Sequence, residues 1–150
     1  MAHNFSNLLV HLIFSTKERL KQIDQELKPR LCAYLGGTCH ACSGYPIQVN
    51  AVSDHAHMLV QLAPTICISD FIRLIKSNST KWVHETFPLK RGFAWQMGYA
   101  AFSVSESNRD AVVRYIRDQE AHHRKLTFQD ELRNDLRTNR IPFDERFIGK

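Results

Sequence analysis

The chain has no apolar run near the ~18 residues that a membrane-spanning helix needs, so a membrane span is not expected. It has few cysteines: Cys32, Cys39, Cys42 and Cys67 are too few and too unevenly spread for a disulfide scaffold. Reduced thiols and a cytoplasmic setting are the corresponding expectation. Met1-Ala2-His3-Asn4-Phe5-Ser6-Asn7 lacks a basic segment and a cleavage site, so a secretory signal is not expected. Internal repeats and low-complexity tracts are also lacking. Acidic residues are outnumbered, 15 to 20 basic ones, for a formal net charge of +5 that suits a polyanionic partner. The 150 residues, 43% of them hydrophobic, fit one domain over 1–150 with a sizeable core.

The chain is organised around Asp54-His55-Ala56-His57-Met58-Leu59-Val60-Gln61-Leu62. On a strand, His55 and His57 share one face while Ala56, Met58, Val60 and Leu62 enter a core on the other. On a helix the two imidazoles would diverge by about 200°. A strand therefore makes a paired-imidazole site, for which a divalent metal gives a physical reason. From spacing alone, two partly exposed histidines on an edge strand fit as well.

In chain order, residues 8–16 read as a first strand, rich in β-branched and aromatic residues. A basic loop with Lys17, Arg19 and Lys21 follows. Asp24 caps a first helix that Gly36-Gly37 ends, with Pro29 as a blemish near its start. Cys39-His40-Ala41-Cys42 is half of a zinc motif, but no second pair follows at finger spacing. Pro46–Val52 is a second strand, and Ser53-Asp54 turns into the His55 strand, which Pro64-Thr65 breaks. Ser69 or Asp70 caps an amphipathic second helix running from Phe71 to Val83. Its polar face carries Arg73, Lys76, Ser77 and Lys81, which suit either solvent or nucleic-acid phosphates. A loop with Arg91, Trp95 and Gln96 leads to a fourth strand over 99–105. A third helix, capped by Ser107 or Asn108, runs from Arg109 to about His122, and a short terminal helix runs from Thr127 to about Thr138. The apolar tail from Ile141 docks on the body. The order βαββαβ, followed by a tyrosine-bearing helix and a short terminal helix, is an α+β, ferredoxin-like antiparallel sheet with two helices on one face.

On the third helix Tyr115 and Gln119 are four residues apart, about 40° around one face, and His122 continues that face. Taken alone, such a tyrosine fits a core residue with its hydroxyl at the rim. Beside the histidine pair it fits a different constellation. His55, His57 and the Gln119 carboxamide make a three-ligand metal site with open positions, and Tyr115 stands one turn away as a nucleophile. Arg114, Arg117, His123, Arg124 and Lys125 suit a phosphodiester.

At these residues the chain resembles the HUH single-tyrosine transposases, the small transposases of simple insertion sequences and repeat-associated elements. His55-Ala56-His57 matches the H-hydrophobic-H motif, with alanine smaller than the usual middle residue. Tyr115-Ile116-Arg117-Asp118-Gln119 with His122-His123 matches the tyrosine helix. The opening His11-Leu12-Ile13-Phe14-Ser15-Thr16-Lys17 and Trp95-Gln96-Met97-Gly98-Tyr99 extend the match along nearly the whole chain. The resemblance implies cleavage and rejoining of single-stranded DNA at hairpin-bearing ends. Tyr115 would be the nucleophile and a 5′-phosphotyrosine the intermediate. Mg²⁺ or Mn²⁺ would be held by His55, His57 and Gln119. It also implies a homodimer in which the tyrosine helix of one subunit serves the other's histidines. Candidate DNA contacts are Lys17, Arg19, Arg73, Lys76, Ser77, Lys81, Arg91, Arg114, His122 and His123. Three alternatives stay open: a domesticated relative that cuts DNA without moving an element, a non-catalytic single-strand-binding module of the same fold, and a plain metal-binding or dimerisation domain.

Overall fold

The computed structural model of the chain describes residues 4–123 and 125–148. The segment Met1–His3 and Arg124, both drawn on in the sequence reading, lie outside the described residues. Four strands, β1 (Leu8–Ser15), β2 (Gly44–Val52), β3 (His55–Leu62) and β4 (Ala100–Val104), form one antiparallel sheet in the order β2-β3-β1-β4. That is the ferredoxin-like order expected from βαββαβ. Helices α1 (Leu27–Cys39) and α2 (Ile68–Thr86) cover the first face. The second face carries α3 (Arg109–Arg117), α4 (Gln119–His123), α5 (Phe128–Thr138) and α6 (Glu145–Ile148). Among the described residues no helix is long and apolar enough to cross a membrane.

The period of two sorts the strands between two cores. Val10, Leu12 and Phe14 of β1 and Ala56, Met58, Val60 and Leu62 of β3 meet Leu27, Leu31 and Leu35 of α1 and Phe71, Ile75 and Val83 of α2. On the other face Leu9 and Leu59 pack under Ile116 of α3, while Ile13 and Phe102 pack under Phe128 and Leu136 of α5. The tail docks as expected through buried Ile148 and half-buried Phe143. Two apolar patches thus flank a central strip of the second face, and the histidines lie in that strip.

Several element boundaries differ from the sequence reading. Helix α1 starts at Leu27 rather than Asp24, although the Asp24 carboxylate does accept the Leu27 N–H at 2.8 Å. It also runs through Gly36-Gly37 to Cys39, and the chain turns only at Ser43, in the left-handed region. Glycine only weakens a helix, and Gly36 lies on the side facing Pro46 and Val49 of β2. Pro29 is third in the helix, where its missing N–H would have had no intrahelical partner. Helix α2 begins at Ile68, so Ser69 and Asp70 sit inside its first turn rather than capping it. The third helix is not continuous to His122, because Asp118 leaves helical geometry (φ −94°, ψ 22°) between α3 and α4. The cause is remote: Asn50 of β2 donates its amide to the carbonyls of Ile116 and Arg117 at 2.9 and 3.1 Å and so ends α3. Thr127, read as the first residue of the last helix, instead caps α5, its hydroxyl accepting the Asp130 N–H.

Gly44, where β2 begins, is a point of close approach. A Cβ there would stand 2.7 Å from the ring of Phe71, which is fully buried. Gly44→Ala is expected to lower stability by about 1–3 kcal/mol, the cost of overpacking a dense core. A denaturant midpoint equal to wild type would contradict this.

Candidate metal and nucleophile site

His55 and His57 project together from β3 into the strip under α4 and α5, both fully buried, with ring centroids 5.1 Å apart. Strand β3 is central in the sheet, so the reading of two exposed edge-strand histidines does not apply. Buried imidazoles need partners. His55 Nδ1 lies 2.7 Å from Asp54 Oδ1, and His57 Nδ1 lies 2.8 Å from Nε2 of His11 on β1. The far nitrogens converge on Glu131 of α5, which is itself only 2% exposed. Its Oε1 is 2.9 Å from His57 Nε2 and 3.3 Å from both His55 Nε2 and His123 Nε2. Its Oε2 accepts a hydrogen bond from the Tyr115 hydroxyl at 2.6 Å. One carboxylate therefore joins three imidazoles and a phenol.

The electrostatics follow. Burial opposes ionisation of Glu131, but its contacts with His123, His55 and His57 prevail and hold its carboxyl well below the usual range. Burial pushes His57 down to about 4 and His11 to about 3, so both rings are neutral at physiological pH. For His55 burial is outweighed by Asp54 and Glu131, and its pKa is raised. Burial, then the Glu131 charge, pushes the Tyr115 hydroxyl up, so it is a neutral donor here. Asp135, one turn beyond Glu131, is raised to about 7 by burial and by Glu131.

The donors fit a divalent cation. One ligand atom from each of His55, His57, His123 and Glu131 lies within 4.8 Å of all the others. Buried His55 Nε2 and His123 Nε2 lack a well-aligned hydrogen-bond partner, as does Gln119 Oε1. Gln119 is fully buried beside the Tyr115 hydroxyl, and its Nε2 donates to the Tyr115 carbonyl at 3.2 Å. An imidazole-rich set suits Mn²⁺ better than Mg²⁺, which prefers oxygen. Cys39 and Cys42 take no part: both are buried free thiols, and Cys39 is pushed up to about 12 by burial.

The other sequence candidates fall in three places. The His122 ring packs 4.9 Å from that of Tyr115, while His123 turns inward to Glu131. Arg73, Lys76, Ser77 and Lys81 line one open groove of about 860 Å³ between α2 and residues 94–99. Lys76 already ties that groove together by donating to the carbonyls of Gln96 and Gly98. Lys17 and half-buried Arg19 lie beside the same loop, where the Lys17 N–H donates to the Ala94 carbonyl. Arg91 is exposed at the loop's start, and Arg114 is exposed on α3.

Sequence reasoning missed His11, Asp54, Glu131 and Asp135 as members of the cluster. One signal for Glu131 was available: it occupies an inward position of α5, among Phe128, Leu132 and Leu136. An acid inside an apolar stripe needs a partner.

The family model "Transposase IS200 like" matches residues 4–119. The chain is similar to the ISDra2 transposase TnpA of Deinococcus radiodurans, 27% identical over 114 residues, covering 73% of this chain and 81% of that one. It is also similar to the transposase for insertion sequence element IS200 of Salmonella typhimurium, 26% identical over 124 residues, covering 79% and 81%. A solved Deinococcus radiodurans R1 structure, described as that of a transposase, superposes with a TM-score of 0.66 at 25% identity, covering 79% of this chain and 95% of that one. A REP-associated tyrosine transposase bound to a REP hairpin shares the fold, with a TM-score of 0.59 at 13% identity and 82% and 72% coverage.

Asp135 gives a pH test. The folded chain keeps this proton from about pH 4 up to about pH 7, whereas the unfolded chain releases it near 3.8. The residue's contribution to stability therefore falls as pH rises through that window. Asp135→Asn removes the charge, so its melting temperature should match wild type near pH 4 and exceed it by roughly 2–5 °C at pH 8. A gap independent of pH contradicts the assignment.

Proposed function

The chain belongs to the IS200-like transposase family, and on that premise we propose that it cuts and rejoins single-stranded DNA through Tyr115. The observation that carries the reading is the Tyr115 hydroxyl bonded to the carboxylate that also joins His55, His57 and His123. The nucleophile and the metal-ligating set thus share one pocket. His55 and His57 supply two ring nitrogens. The oxygen donors are Gln119 Oε1, buried without a partner, and Glu131, already against both imidazoles. A bound Mg²⁺ or Mn²⁺ would polarise the scissile phosphate and offset its charge.

Tyr115 Oη attacks the phosphorus, a Tyr–O–P bond forms and the P–O3′ bond breaks. The leaving 3′ oxygen takes a proton from solvent, so the products are a 5′-phosphotyrosine and a free 3′-hydroxyl. The tyrosine proton leaves along the existing hydrogen bond to Glu131 as the O–P bond forms, because the neutral phenol is a poor nucleophile at a free pKa near ~10. A second 3′-hydroxyl then attacks the phosphotyrosine and gives its proton to solvent, the Tyr–O–P bond breaks, Tyr115 takes its proton back from Glu131, and a phosphodiester is restored. One bond replaces another of the same kind, so no nucleotide cofactor is required. The lysine and arginine groove beside α2, with Lys17, Arg19, Arg91 and Arg114, supplies phosphate contacts for a hairpin-bearing strand.

The 2.6 Å bond between Tyr115 and Glu131 within one chain favours a tyrosine that serves its own histidines. The family resemblance favours a second reading, a homodimer with the tyrosine supplied in trans, in which the chemistry is the same. Incubation with single-stranded hairpin DNA and Mn²⁺ should yield a covalent adduct that peptide mapping assigns to Tyr115 on a 5′ end. Tyr115→Phe should yield none; an adduct on that variant overturns the proposal. Mixing Tyr115→Phe with His57→Ala, with subunit exchange demonstrated, separates the two arrangements. Cleavage returns only if the tyrosine acts in trans.

A further inference from the structure

His11 has no role in the chemistry above, yet it is buried in the strip at 6% exposure. Its Nε2 lies 2.8 Å from His57 Nδ1, with the two rings stacked at 5.1 Å and 28°. The edges of Phe102 and Tyr115, each 6.1 Å away between centroids, confine the ring further. In a hydrogen bond between two neutral imidazoles, one nitrogen carries the proton and the other must accept.

Which way this bond runs depends on the far side of His57. While His57 Nε2 faces the Glu131 carboxylate at 2.9 Å, that nitrogen carries the proton and donates. Nδ1 is then an acceptor, and His11 donates to it through Nε2–H. A cation on His57 Nε2 needs the lone pair there. The His57 proton must then sit on Nδ1, where it meets His11, and His11 must accept.

We propose that His11 is a positioning residue of the metal centre that changes tautomer together with His57, donating to Nδ1 in the metal-free state and accepting from Nδ1 in the loaded state. The inference rests on the reading of His57 as a metal ligand. The proton count balances: each ring has one N–H before and after, on Nε2 in the free state and on Nδ1 in the loaded state, so the rings' charge does not change. Among uncharged side chains of similar reach, imidazole and carboxamide offer both a donor and an acceptor at this distance. An apolar residue of the same bulk offers neither, and a lysine only donates. The partner of a metal-ligating histidine's second nitrogen fixes ring orientation and ligand basicity, and its loss weakens binding roughly 10- to 100-fold.

The test combines imidazole ¹⁵N NMR, with diamagnetic Zn²⁺ as probe, and Mn²⁺ calorimetry. In metal-free wild type, His57 and His11 should both carry Nε2–H; at Zn²⁺ saturation both should carry Nδ1–H. His11→Phe should bind Mn²⁺ roughly 10- to 100-fold more weakly. His11→Gln, whose amide rotates to present either group, should bind like wild type. Equal Mn²⁺ binding by a folded His11→Phe overturns the proposal, as does Zn²⁺-loaded wild type in which His57 is metallated but His11 keeps Nε2–H. Should His11→Phe fail to fold, the wild-type tautomers and His11→Gln decide. A His57 Nε2 that stays protonated at Zn²⁺ saturation overturns this inference and the metal reading together.

Discussion

A carboxylate removed from water must be compensated by charge and hydrogen bonds on every side, and Glu131 sets that requirement for the second face of the sheet. Its two oxygens are met by His55 and His57 from β3, His123 from α4 and Tyr115 from α3. Three separate elements are therefore held in register by one side chain of α5. The apolar patches on either side, Leu9–Leu59–Ile116 and Ile13–Phe102–Phe128, supply the burial that keeps water from the cluster. The same enclosure keeps His57 and His11 neutral, so their ring nitrogens are poised for a cation, and raises Asp135 to about 7.

The arrangement also separates two tasks across the sheet. The first face is a conventional core, closed by α1 and α2. The second face holds Tyr115 and the imidazoles. Residues 94–99 link the two sides: Trp95 donates to buried Ser79 at 2.9 Å and bridges to Thr16, while Gln96, Met97, Gly98 and Tyr99 border both the basic groove and an apolar cleft under α5. The end of β1 beside this segment is paired with the start of β3, Ser15 standing opposite His55.

Much of this was legible in the sequence, for identifiable reasons. Period-two alternation alone puts His55 and His57 on one face, and the order of elements alone gives the sheet. The Tyr115–Gln119 spacing brings both residues to the same pocket because α3 still extends almost to Gln119. Long-range contacts were not legible. Asn50, on β2, ends α3 by capturing two of its carbonyls, and beyond that break His123, read from the sequence as a candidate phosphate contact, turns inward to Glu131. Gly36-Gly37 looked like a terminator but lies within α1. Glu131 was conspicuous as an acid in an apolar stripe, yet its four partners come from three other elements, and no local pattern names them.

The central claim is that the buried imidazoles of β3 form a metal centre beside Tyr115. Pulsed electron paramagnetic resonance of bound Mn²⁺, with and without ¹⁵N-histidine labelling, tests it most directly. The account predicts hyperfine coupling to at least two imidazole nitrogens, with coupling lost on His57→Ala while the fold persists. A bound Mn²⁺ with water-like coordination and no nitrogen coupling, or a nitrogen signal unchanged in both His55→Ala and His57→Ala, would contradict it.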